Sequence, residues 1–141
     1  MKRAIALLLA LFIFGVCPIL ALCSGCYPSQ FPKEETRAAI VLAAEAVRAA
    51  DGTCADLAWA KKNQTLALTC AAAYDTARNS LEASEAALDA GQATNMACML
   101  KDGLLALERI VSAIWSAGGE IPPVVRDALR FAEPFAAGCH A

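Results

Sequence analysis

The stretch CADLAWAKKNQTLALTC, residues 54–70, decides how this chain folds. The composition of residues 54–90 favours one continuous helix, which at about 1.5 Å per residue would be about 55 Å long. Its neighbours would be much shorter, so a break is expected. Residues 61–65 (KKNQT) are the obvious place, because they are polar and include Asn and a potential helix cap in Thr. We therefore predict a short helix over Cys54–Lys61 and a long helix over Leu66–Ala90, which Gly91 ends.

Residues N-terminal to this stretch predict a helix over Lys33–Ala50. Alanine, the best helix former, dominates here, and no part of the chain alternates with the period of a strand. Pro32 and the acidic pair Glu34-Glu35 suit the first turn of a helix. Asp51-Gly52 should stop this helix, and Thr53 is placed to cap the next one.

The C-terminal half predicts two more helices. One covers Thr94–Ala117 and is ended by Gly118-Gly119. The other is opened by Pro122-Pro123, and Pro134 should kink or end it, which leaves Phe135 onward as a tail. The predicted fold is all-α: a small antiparallel bundle of about four helices plus one short helix over residues 33–141, stapled by disulfides.

The first 26 residues have the layout of an export signal. A basic start, Met1-Lys2-Arg3, precedes an uncharged apolar run over residues 4–22. Ser24-Gly25-Cys26 follows and resembles the lipobox of bacterial lipoproteins, in which the cysteine carries the lipid and becomes the new N-terminus. Cys23 is the second choice, because Leu precedes it where the family has a small residue. The resemblance implies a signal peptide over residues 1–25 and a lipidated tether over residues 26–32.

Two other interpretations of the N-terminal segment stay open: a plain secreted protein, and an uncleaved helix spanning the membrane. All three place the domain outside the cytoplasm, because the positive charges precede the apolar run. Under the lipoprotein resemblance, Tyr27 rather than Asp after the lipidated cysteine implies the outer membrane, facing the periplasm, if the host is Gram-negative. The expected partners are then the membrane, through the lipid, and another envelope protein.

Charge excludes one class of partner. The chain has 12 basic and 14 acidic side chains, and loss of Lys2 and Arg3 with the signal makes the balance more acidic. No basic face is available to neutralise phosphates, so we expect no nucleic-acid binding and no polybasic membrane patch.

The cysteines predict two disulfides. The chain has seven cysteines, and cleavage before Cys26 leaves four in the domain besides the lipidated one, an even number that suits an exported protein. Residues that face each other across a hairpin have a constant sum, so a turn near Lys62 pairs Cys54 with Cys70. By the same argument, a turn near Gly119 pairs Cys98 with Cys139.

The sequence contains few residues that could carry out catalysis or bind a cofactor. The single histidine, His140, ends the stretch AAGCH, which resembles the C-x-x-C-H haem motif of the cytochrome c′ bundle family, with Ala136 in place of the first cysteine. We therefore expect a disulfide at Cys139 and no cofactor. The acidic group on residues 82–89 should form a solvated face, since no histidine accompanies it. No metal site, no nucleophile and base, and hence no enzyme, is predicted.

The aromatic residues supply the one candidate surface. Trp59 is flanked by Lys61 and Lys62 on a disulfide-stapled hairpin, an arrangement that could bind a partner. Trp115 and Tyr74 are expected to pack in the core or at its boundary. The sequence thus favours a membrane-anchored extracytoplasmic lipoprotein with a structural or protein-interaction role. The alternative is a small-ligand or haem-binding bundle that is secreted or held by an uncleaved helix.

Overall fold

A computed structural model of the chain describes residues 32–139, which form four α-helices and no strand. Helix α1 spans Lys33–Ala60, α2 Gln64–Asp89, α3 Ala93–Ser116 and α4 Pro123–Ala136. Helices α1 and α3 are central, since each contacts the other three, and α2 and α4 flank them without contacting each other. The predicted all-α bundle is confirmed. The signal, the tether and both candidate lipidation sites, Cys26 and Cys23, lie outside the described residues.

Helix α1 is continuous where the sequence suggested a stop. It passes through Asp51-Gly52 and joins the two segments predicted as separate helices. Thr53 does not cap, because its hydroxyl donates to the Ala49 carbonyl at 3.0 Å within the helix. Gly52 costs an exposed helix about 1 kcal/mol relative to alanine, but Ala50 and Cys54 on either side of it are fully buried. The continuous buried face outweighs the local helix-breaking signal.

The predicted break within residues 61–65 is confirmed, and it occupies residues 61–63. The Lys62 N–H donates to the Trp59 carbonyl and the Asn63 N–H to the Ala58 carbonyl, the two bonds of a Schellman motif. Asn63 then caps α2, since its side-chain oxygen accepts from the Leu66 N–H at 3.0 Å. The N-cap of α2 is therefore Asn63 rather than Thr65. Asn63 takes part in both helix ends, with its N–H at the end of α1 and its side chain at the start of α2.

The other helix ends follow the predicted signals, with one correction. Gly91 and Gly118 close α2 and α3 in the same Schellman pattern with φ near +71° and +72°. Helix α4 starts at Pro123 but runs past Pro134 to Ala136, so the predicted tail begins too early. Phe135 is 6% exposed, and burial of a phenylalanine stabilises by about 1.5–3 kcal/mol. That gain offsets the one helix hydrogen bond that a late proline removes.

The core packs large side chains of one helix against small side chains of two others. The largest fully buried residues come mainly from α3, while α1 presents buried alanines. Gly103 shows how close the approach is, because an added Cβ would lie 3.0 Å from Cγ and Cδ2 of Leu81 in α2. The buried Ser84 hydroxyl donates to the Met96 carbonyl at 3.0 Å across the same pair of helices. The helices that hold the core are therefore spaced for alanine and glycine.

Two helical glycines provide a matched test of this packing. Gly52→Ala should stabilise the domain by about 0.5–1 kcal/mol, because the position is open and helical. Gly103→Ala should destabilise it by about 1 kcal/mol or more, because the methyl group meets Leu81. Denaturant unfolding followed by circular dichroism measures both changes. A destabilising Gly52→Ala would mean that α1 ends at Gly52 after all.

Candidate interaction surface at the end of α1

Trp59 lies in the last turn of α1 and is the most exposed large apolar side chain of the described residues, at 87%. Its exposure follows from helix phase. Cys54 and Ala58, four residues apart, both point into the core, and each further residue turns the helix by about 100°. The indole is thereby directed out of the bundle.

An open groove of about 520 Å³ runs beside Trp59, between the last turn of α1 and the first turn of α2. Its walls are mostly apolar. The lining residues are Ala55, Ala58, Trp59, Lys62, Asn63, Gln64 and Ala67. A side chain from another molecule would find apolar contact here, with an ammonium group from Lys62 at the edge.

The groove is built on a rigid scaffold. The predicted Cys54–Cys70 disulfide is confirmed, with the Cα atoms 6.4 Å apart and both residues buried. It joins α1 and α2 just behind the groove. The Schellman motif and the Asn63 cap fix the connection at the other side. Trp59 therefore needs no ordering of the backbone to bind a partner, which lowers the entropic cost of binding.

The two lysines predicted to flank Trp59 have different roles. Lys61 Nζ donates to the Ala117 carbonyl at the end of α3, so this amine ties two helix ends together. Gly119 strengthens the same junction, because any Cβ there would clash with Leu57 and Ile114. Lys62 is exposed and adopts a left-handed conformation with φ +50°. Of the predicted trio, Trp59 and Lys62 line the groove and Lys61 does not.

The prediction that Trp115 packs in the core or at its boundary is wrong. It is 71% exposed, although its neighbour Ile114 is fully buried. Trp115 comes one residue after Ile114, and this turns its side chain by about 100° away from the buried face of α3. Tyr74 is half-buried and packs against the core, as predicted.

The predicted Cys98–Cys139 disulfide is also confirmed, with a Cα separation of 4.6 Å. It ties Cys139, three residues after the end of α4, to the second turn of α3. The Cys139 sulfur is consumed in this bond, so it cannot form a thioether with haem. His140, the other residue of the haem-like stretch, lies outside the described residues.

The acidic residues of α2 are exposed and partly paired. Glu82 accepts from Arg78 at 2.9 Å, and Asp89 pairs with Lys33 at 3.2 Å and with Arg37. The hydrogen bond from Lys33 and the charges of Arg37 and Lys33 lower the pKa of Asp89 below its ordinary value. Between residues 32 and 139, no group of three or more His, Cys, Asp or Glu side chains could hold a metal ion. In the same range no helix combines the length and hydropathy of a membrane span.

Comparisons with family models, curated proteins and solved structures find no match to this chain. Its function therefore has to be argued from its own residues.

Removal of either disulfide should destabilise the domain, and the loss should be larger for the bond that closes the longer loop. The cysteines are 16 residues apart in one pair and 41 in the other. Chain entropy then predicts losses of about 3 kcal/mol for C54A/C70A and about 4 kcal/mol for C98A/C139A. Denaturant unfolding of the two double variants measures both losses. If C54A/C70A unfolded like the parent, this bond would not be what holds the groove in shape.

The left-handed turn offers a second test with its own control. Lys62→Gly should stabilise by up to about 1 kcal/mol, since a left-handed conformation costs an L-residue roughly 1–2 kcal/mol and glycine loses part of that gain through unfolded-state entropy. For a domain of this size, 1 kcal/mol raises Tm by about 4 °C. Lys61→Gly, next to it, should lower Tm, because it removes the bond to Ala117. Equal shifts in both variants would contradict these assignments.

Proposed function

We propose that this protein is an exported lipoprotein, held at the membrane by a lipid on Cys26, that works through protein contacts in the cell envelope. The observation that carries the proposal is the pair of disulfides, Cys54–Cys70 and Cys98–Cys139. Disulfides persist in oxidising compartments outside the cytoplasm and are rare within it. They agree with the basic, apolar and small-residue pattern of residues 1–26.

The length of α1 supports a role in presenting a surface. The helix begins at Lys33, directly after the proposed tether, and has 28 residues. At about 1.5 Å per residue it extends about 42 Å, so its first turn and Trp59 lie at opposite ends. A lipid attached before α1 is therefore close in sequence to the first turn of the helix. The Trp59 groove lies at the other end of α1.

The charge and exposure of the groove favour a protein partner. Trp59 is exposed on a scaffold closed by a disulfide, and tryptophan is among the residues most often found at the energetic centre of protein interfaces. The acidic balance of the chain argues against nucleic acid. No arrangement of nucleophile, base and orienting group occurs among the described side chains, so contact rather than catalysis is proposed.

Intact mass of the protein purified from membranes tests the anchor. We expect the mass of residues 26–141 plus a diacylglyceryl and an acyl group, and a gain of four hydrogens on reduction of the two disulfides. Cys26→Ser should abolish the lipid, whereas the matched variant Cys23→Ser should leave it unchanged. A lipidated product starting at residue 23 would move the site to Cys23, and an unlipidated or full-length mass would overturn the lipoprotein proposal.

A further inference from the structure

Trp59 shares one face of α1 with Val41, a second exposed apolar residue. The two are 18 residues apart, which is five full helical turns or about 27 Å. On α2, Ala67 and Glu85 have the same spacing. We call the surface that these stripes form the α1–α2 face; it comprises Val41, Arg48, Ala55 and Trp59 of α1 with Ala67, Ala71, Tyr74, Arg78 and Glu85 of α2.

The two ends of the α1–α2 face complement each other. One end carries the Trp59 groove, whose only charged lining residue is Lys62. The other end carries a second groove, of about 530 Å³, with Val41 and Tyr74 among its apolar walls. Three carboxylates line that groove, Glu45, Glu82 and Glu85, against two guanidinium groups, one of which already pairs with Glu82. An indole and an ammonium group at one end thus complement a groove at the other end that has Val41 and Tyr74 in its walls and an excess of one carboxylate.

The middle of the face has an unbalanced charge. Asp51 of α1 and Asp75 of α2 lie close enough that burial and the charge of Asp75 raise the pKa of Asp51. Arg48, one turn away, makes no ion pair with any residue from 32 to 139. Toward the Trp59 end of the face, the exposed side chains of Ala55 and Ala71 are small. At the midpoint, Arg48 of another copy could supply positive charge to the two aspartates.

We propose that the α1–α2 face binds a second copy of this chain, with the two copies antiparallel about a two-fold axis near residue 50 of α1. An isologous interface requires a surface that complements itself. The two unlike ends of the face provide it, since Trp59 and Lys62 lie at one end and Val41 with an excess carboxylate at the other. Trp59 of each copy then packs over Val41 in the groove of the other. Lys62 approaches the end bearing Glu85, and Arg48 approaches the partner copy's acidic midpoint.

This inference deepens the proposed function, because it names an occupant for the Trp59 groove, but it does not depend on the lipid. It also has a geometric consequence: antiparallel pairing places the two Lys33 ends at opposite ends of the pair.

Photo-crosslinking in the full chain, in its own membranes, tests the pairing. A benzophenone amino acid replaces Trp59, and in a matched control it replaces Trp115, the other exposed tryptophan. We expect the probe at position 59 to give an adduct of two copies, with linked peptides from residues 38–48 or 74–85. The probe at position 115 should give no such adduct.

Each other outcome counts against the proposal. An adduct of two copies linked at residues 59–71 would overturn the antiparallel arrangement. An adduct with a different protein alone would overturn the second copy as occupant, while the proposed function would stand. Equal adducts from both probes, or none at position 59, would overturn the surface itself. The mass measurement of the lipid is independent of all these outcomes.

Exchange of the charges of two residues distinguishes specific pairing of two copies from non-specific crosslinking by an exposed probe. With the probe at position 59, Lys62→Glu should lower the yield of the two-copy adduct roughly fivefold, and Glu85→Lys should do the same, since each variant replaces an attraction by a repulsion in both copies. The double variant should restore the yield. Both side chains are exposed, so folding is checked simply by retention of the disulfides. Failure of the double variant to recover would contradict the proposed contact.

Discussion

The close approach of α3 to α1 and α2 is the constraint on which the rest of this structure depends. Leucine and isoleucine side chains of α3 fill the space that the buried alanines of α1 leave open, and Gly103 admits Leu81 of α2 at contact distance. Dense packing of this kind gains dispersion contacts and leaves no voids.

Both tryptophans lie off the buried face of their helices, since Trp59 follows buried Ala58 and Trp115 follows buried Ile114. Trp59 and Trp115 both lie near helix ends that meet, since Lys61 bonds the end of α3 and Gly119 packs against Leu57. Trp59 also has a groove of small residues beside it and a disulfide behind it. The last turn of α1 therefore carries an exposed indole and an apolar groove on one disulfide-joined scaffold.

Helices in this protein end with the same backbone motif, although different residues form it. Three helices end in a Schellman motif, two with glycine and one with Lys62 in the left-handed conformation. At the ends of α2 and α3 glycine adopts this conformation without strain. At the end of α1 the chain accepts strain and keeps a charged side chain beside Trp59.

The sequence by itself determined the helical class, the break at residues 61–63, the Gly91 and Gly118 stops and both disulfides. These depend on local chemistry: a glycine or polar run shows where the backbone can turn, and hairpin geometry then pairs the cysteines. Only the tertiary structure decided that Gly52 and Pro134 do not end their helices, that Lys61 bonds α3 and that Trp115 is exposed. A local sequence signal indicates where a helix can stop. Whether the helix does stop there depends on how much of the residues on either side is buried against neighbouring helices.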